Sequence, residues 1–206
     1  MAFAGSLMDD DELSDAELVE GLRLGDERVF AHLYGRHTPS MIRVASSVVK
    51  GRATAEDVVQ DTWMAVLKGI SSFELRSTLA AWIFSILLNK ARTRARRDGR
   101  VVSFDDDFGD DLSDAFDGRG RWKDMAELRE DITPERIASG RSSAALVNAA
   151  IDALPPPQRA VIILRVQQEL EASEVCALLG ISEGNMRVLL HRARLALRAR
   201  MLDLGE

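Results

Sequence analysis

The chain is poor in cysteine, histidine and aromatic residues, and each scarcity closes off a class of function. A single cysteine, Cys176, makes no intramolecular disulfide and no cysteine-based metal cage. It lies in an apolar helical pattern, where a small buried residue is the plain reading. The three histidines, His32, His37 and His191, are scattered, and His32 and His37 lack the spacing and the glutamate of a metalloprotease helix. No glycine-rich phosphate loop and no activated-nucleophile motif occurs, so neither catalysis nor a metal or other cofactor is expected. Aromatic residues make up only 5% of the 206, while Leu, Val, Ala and Arg dominate, a balance that favours helices over sheets. The longest near-continuous apolar run, AAWIFSILL at 80–88, is far short of the roughly 20 residues a membrane span needs. The N-terminus, MAFAGSLMDDDELSD, is acidic and has no signal-peptide pattern, and Met8 is an alternative start to Met1. The expectation is a soluble, cytoplasmic protein with no membrane insertion.

What the chain does have is charge arranged in blocks. Its net charge of −6 argues against a uniformly basic coat for nucleic acid. Yet residues 71–100 set seven bases against two acids, and residues 187–200 carry five arginines and no acid. Between them, residues 101–140 hold twelve acids and five bases, with recurring glycines and no apolar periodicity, the composition of a linker that cannot fold alone. The reading is all-α: an acidic, disordered tail at 1–12, a helical domain at 13–99, an acidic flexible linker at 100–141, and a second helical domain at 142–206. Trp122, within GRGRWKDM, has no assigned role beyond that of an anchor for the linker.

In the first domain, Ser14-x-x-Glu17 predicts a capping box opening a helix. Gly25 and Asp26 separate it from a second helix that runs past Pro39, where a kink or restart is expected. A third helix, from Ala55 to about Lys68, places Val58, Val59, Thr62, Trp63 and Val66 on one side of the wheel. Glu56, Asp57, Gln60 and Asp61 fall together on the other, as one acidic surface patch. The segment 69–78 reads as a loop containing Phe73. The helix from Leu79 to about Arg97 is apolar at first and then basic, NKARTRARR. Complementing the helix dipole explains one or two of those bases, not five in eight residues. An aromatic beside a basic track suits single-stranded nucleic acid, although Phe73 and Trp82 read equally well as core. Asn89, at the junction of the two halves, is a candidate hydrogen-bonding residue.

In the second domain, helices are expected at 145–154 and 160–168, then a short one through Val175 and Leu178, and a last one from Glu183 to about Leu202. LGIS at 179–182 supplies a left-handed Gly180, the buried Ile181 and the N-cap Ser182, which together make a helix-turn-helix. Val188, Leu189 or Leu190, and Leu195 are expected to hold the last helix down. Its open face then carries Asn185, Arg187, His191, Arg192 and Arg194, residue types that read base edges and grip phosphates in the major groove.

Three stretches, GDERVFAHLYGRHTP (25–39), AEDVVQDTW…F…STLAAWIFSILLNKARTRARR (55–97) and LPPPQRAVIILRVQQELEASEVCALLGISEGNMRVLLHRARLALR (154–198), resemble the extracytoplasmic-function sigma factors of bacterial RNA polymerase, of the sigma-seventy family. The resemblance covers both domains and implies a non-enzymatic subunit that gives core polymerase its promoter specificity. It implies that Glu56, Asp57, Gln60 and Asp61 dock on the beta-prime clamp helices. Phe73, Arg76, Ser77, Trp82, Asn89, Lys90, Arg92, Arg96 and Arg97 then match the minus-ten reader, which holds a flipped-out base and melts the element. Arg165, Ser182, Asn185, Arg187, Val188, His191, Arg192 and Arg194 match the minus-thirty-five reader, with Arg165 as a backbone contact. Core polymerase (its beta-prime and beta subunits), promoter DNA and an anti-sigma factor are the implied partners. The chain departs from the family at Glu169-Leu170-Glu171, where Gly-Leu-Ser is usual, and at Val188-Leu189, where polar pairs are common. Two other readings stand beside this one: a sigma mimic that sequesters an anti-sigma factor, and a stand-alone helix-turn-helix regulator.

Overall fold

The computed structural model describes residues 13–100, 103–104 and 141–203. The expectations for the tail at 1–12, for most of the linker and for Trp122 lie outside the described residues. All regular elements among the described residues are helical, and the chain divides into two compact units, 1–102 and 103–206.

The first unit holds α1 (Asp15–Arg23), α2 (Glu27–Ser46), α3 (Arg52–Gly69) and α4 (Leu79–Arg97). The predicted capping box is present: the Ser14 N–H donates to Glu17 Oε2 at 2.8 Å, and the Glu17 N–H donates to Ser14 Oγ at 3.4 Å. The Ser14 hydroxyl, which donates to Glu17 Oε2 at 2.7 Å, and the Ser14 N–H together hold the Glu17 carboxyl below its ordinary value. The hairpin between α1 and α2 is close enough that a Cβ on Gly21 would meet Val29 Cγ2 at 2.7 Å. Pro39 does not restart the second helix, which runs unbroken from Glu27 to Ser46. α3 begins three residues earlier than the periodicity indicates, directly after Gly51.

The core of this unit is built by α2, α3 and α4. Leu33, Met41 and Val44 of α2 and Trp63 and Val66 of α3 are buried, as are Ile83, Phe84 and Leu87 of α4. The Trp63 indole N–H donates to Thr38 Oγ1 at 3.0 Å, and its ring meets Phe30 edge-on at 5.6 Å. Buried His37 sets its ring edge-to-face with Phe84. The expected loop at 69–78 contains a tight helical turn at Ile70–Ser72.

The second unit holds α5 (Arg141–Asp152), α6 (Pro156–Ile162), α7 (Ala172–Leu179) and α8 (Glu183–Asp203). α6 opens on prolines, as its sequence predicts, and widens into a π-helical turn at Ile163–Gln167. Glu169 then takes a left-handed φ of 55°, the conformation that suits glycine. That is the physical content of the departure from Gly-Leu-Ser. Glu171, a weak cap by type, is helped by Glu174, whose carboxylate accepts from the Glu171 N–H at 3.0 Å. Gly180 closes α7 with φ 70°, and Ile181 is buried behind it. α8 is held down by Met186, Leu189 and Ala193, all buried, whereas Leu195 is exposed and Val188 half-buried. The expected Leu195 anchor is therefore wrong: a spacing of 186, 189 and 193 sets the buried stripe, and Leu195 lies off it. Among the described residues no helix is long and apolar enough to cross a membrane.

Ser103 and Phe104, the described residues next to the linker stretch, fall in the second unit. Phe104 is buried, and its carbonyl accepts from Asn185 Nδ2 at 3.3 Å. An isolated aromatic at the edge of an acidic, glycine-rich stretch gives no periodic signal by which its docking could be read.

Candidate nucleic-acid and polymerase interface

On α3 the acidic residues form one face, as the wheel predicts. Asp57, Gln60 and Asp61 are exposed, with Val58, Val59, Thr62 and Trp63 buried behind them. Thr62 turns its hydroxyl inward and donates to the Val58 carbonyl at 2.7 Å, so a polar residue fits the apolar side. Glu56 differs from its neighbours because Arg52, one turn earlier, donates its Nε to Glu56 Oε1 at 2.7 Å. That arginine lies just outside the stretch that reads as purely acidic.

The basic half of α4 lies beside this face. Asp57 and Asp61 from α3 and Asn89, Lys90, Arg94 and Arg97 from α4 line one open cleft of about 400 Å³. Acidic and basic patches that read as separate features in the sequence are thus two walls of one groove. Asn89, Arg96 and Arg97 are exposed, and Lys90 is half-buried. Burial pushes the Arg92 guanidinium down from its ordinary value, and the neighbouring Arg96 charge pushes the same way.

In the loop ahead of α4 the core alternative for Phe73 is the one that the structure shows. Phe73 is buried, and its ring stacks on Trp82 at 4.7 Å with the planes 28° apart. It is a wall of the loop rather than an open stacking surface, because the tight turn at Ile70–Ser72 folds it inward. Trp82 is half-buried and backs onto Gly69, while Arg76 and Ser77 are exposed and Arg76 pairs with Glu74. Thr78 caps α4, accepting from the Ala81 N–H at 3.1 Å.

In the second unit, Ser182 Oγ accepts from the Asn185 N–H at 3.1 Å, which makes it the N-cap of α8. Arg187 is exposed and pairs with Glu183 at 2.9 Å; His191 and Arg192 are half-buried and Arg194 exposed. These side chains lie off the buried stripe of Met186, Leu189 and Ala193, on the outer side of α8. Asn185 is not on the open face, since its amide is engaged with the Phe104 carbonyl. Arg165 donates Nη1 to the Leu170 carbonyl at 2.8 Å, bracing the turn before α7. Burial pushes the His191 imidazole below its ordinary value, and Arg194 adds to the effect. Burial, with Glu183 nearby, pushes the Cys176 thiol up, away from a reactive thiolate. Among the described residues no group of three or more His, Cys, Asp or Glu could hold a metal ion.

Comparison with known proteins gives these surfaces a family. The Sigma-70 region 2 profile matches residues 33–101, and the Sigma-70, region 4 profile matches residues 144–197. A probable RNA polymerase sigma factor of Haemophilus influenzae is 28% identical over 158 residues, covering 76% of this chain and 81% of that one. The extracytoplasmic-function (ECF) RNA polymerase sigma factor SigM of Mycobacterium tuberculosis is 28% identical over 193 residues, covering 93% and 86%. Among solved structures, CnrH in complex with the cytosolic domain of CnrY is 25% identical, covering 93% of this chain and 99% of that one, with a TM-score of 0.48. The chain belongs to the sigma-70 family of transcription initiation factors.

Proposed function

We propose that this chain acts as an ECF-type sigma factor, a cytoplasmic, non-enzymatic subunit that binds core RNA polymerase and directs initiation at selected promoters. The observation that carries the reading is the order of two matched regions, region 2 at 33–101 and region 4 at 144–197, each in its own compact helical unit. The acidic face of α3, with Asp57, Gln60 and Asp61 exposed, repels phosphate and suits a basic protein surface such as the polymerase clamp. The basic half of α4 and the loop before it take the minus-ten element. A duplex minus-thirty-five element enters against α8, where Arg187, Arg192 and Arg194 contact phosphates or guanine and Val188 and His191 complete the reading face. Promoter DNA is the second partner, and an anti-sigma factor, as the family resemblance implies, is the third. A sigma mimic has no need of the five bases of 90–97, and a stand-alone regulator has no need of the acidic face of α3.

Co-purification with core polymerase tests the reading. The wild-type chain is retained by core enzyme, and Asp61→Lys is not, while both bind promoter duplex equally. Equal retention of both proteins contradicts the docking role of α3.

A further inference from the structure

Helix α1 precedes the segment matched by the region 2 profile and carries none of the residues assigned to DNA or polymerase above. It nevertheless grips both ends of the loop between α3 and α4. From its last turn, Arg23 donates Nη2 to the Phe73 carbonyl at 2.7 Å and Nε to the Ile70 carbonyl at 3.4 Å. From its first turn, Asp15 Oδ2 accepts from the Leu79 N–H at 2.7 Å, satisfying an otherwise open donor at the start of α4. A carboxylate at that helix end is also favoured by the helix dipole. One nine-residue helix therefore clasps the loop where it begins and where it ends.

Between the clasps the chain is exposed from Glu74 to Thr78. Leu75 holds a left-handed φ of 56° with its side chain in solvent. A leucine keeps that conformation only where its surroundings determine it. The two clasps are the surroundings that the structure supplies, together with the stack of Phe73 on Trp82.

We propose that α1 is a splint for the minus-ten loop, and that Arg23 and Asp15 are positioning residues for base recognition. The proposal rests on the reading of the loop and α4 as the minus-ten reader. A loop fixed in advance does not have to be ordered when DNA binds, and its shape discriminates among bases. Loosening either clasp should cost discrimination more than it costs docking.

The test uses the full chain bound to core polymerase and single-stranded DNA randomised across the minus-ten segment. The readout is the enrichment ratio of the best base over the next at each position. Arg23→Ala and Asp15→Ala each lower that ratio by about three- to tenfold, the effect of one lost hydrogen bond. Asp15→Asn, which keeps an acceptor for Leu79, restores it. Affinity for core polymerase stays at the wild-type level in all three. Should an alanine variant be poorly folded, amide exchange in Asp15→Asn and Arg23→Lys is compared with wild type. Faster exchange at 73–79 in Arg23→Lys, with α2 and α3 unchanged, supports the splint. Uniformly faster exchange across the unit overturns it. Arg76→Ala and Ser77→Ala separate the two claims. If they change the ratio and Arg23→Ala does not, the splint is wrong and the loop remains the reader. If none of them changes it, the loop is not the reader and the splint falls with it.

Discussion

The ring of Phe73 stacks on the indole of Trp82, 4.7 Å away. This pair joins the loop to the first turns of α4, and it decides how the candidate minus-ten surface is built. Phe73 is interior, so Phe73→Ala opens a cavity and lowers the stability of the first unit by about 3 kcal/mol. Chemical denaturation followed by circular dichroism measures this. Phe73→Leu recovers most of the loss, because it refills the space. An unchanged midpoint for Phe73→Ala would show that the stack does not hold the loop.

The acidic residues of α3 are not equivalent. Glu56 already has Arg52 as a partner, whereas Asp57 and Asp61 are exposed on the wall of the cleft. Asp61→Asn is expected to weaken binding to core polymerase about tenfold, and Glu56→Gln by about threefold or less. Raising the salt concentration narrows the gap between wild type and Asp61→Asn, since exposed charges are screened. Titration of labelled protein with core enzyme at two ionic strengths gives both numbers.

Glu169 holds a left-handed φ in an exposed turn. Glycine takes that conformation without the clash that a Cβ brings, at the cost of a freer unfolded chain. Glu169→Gly is therefore expected to stabilise the second unit by about 0.5–1 kcal/mol. Thermal unfolding of the full chain checks the direction, and a lower midpoint contradicts it.

His191 gives the second unit a pH dependence. Burial first, and Arg194 second, lower its affinity for a proton in the folded state below the unfolded value of about 6.5. The unfolded chain then binds more protons, so stability is fully present above that value. It is lost as pH falls through about 6.5 toward the folded value. DNA phosphate acts in the opposite direction, favouring the imidazolium. Binding of minus-thirty-five duplex by the wild-type chain should gain more between pH of about 7.5 and about 6 than binding by His191→Gln. Identical slopes for the two proteins remove His191 from the DNA face.

Much of this architecture is legible in the sequence because it is local. The capping box at Ser14, the one-sided acids of α3, the start of α4 at Leu79 and the left-handed Gly180 each follow from residues within one or two turns. The features that escape are contacts across long sequence separations. Asp15 meets the Leu79 N–H, Arg23 meets the Phe73 carbonyl, and Asn185 meets the Phe104 carbonyl. No periodicity reports such pairs. Leu195 misleads for a different reason: α8 carries more apolar residues than its buried stripe uses, and only packing shows which are spare.

The central claim, that this chain confers promoter selectivity on core polymerase, is tested most directly by transcription in vitro. Core enzyme is supplied with the chain and a pool of genomic fragments, and the transcript starts are sequenced. The account predicts a small set of starts sharing two upstream elements at fixed spacing. Arg187→Ala should relax the distal element, and Arg76→Ala the proximal one. Transcription no more selective than that of core enzyme alone would contradict it.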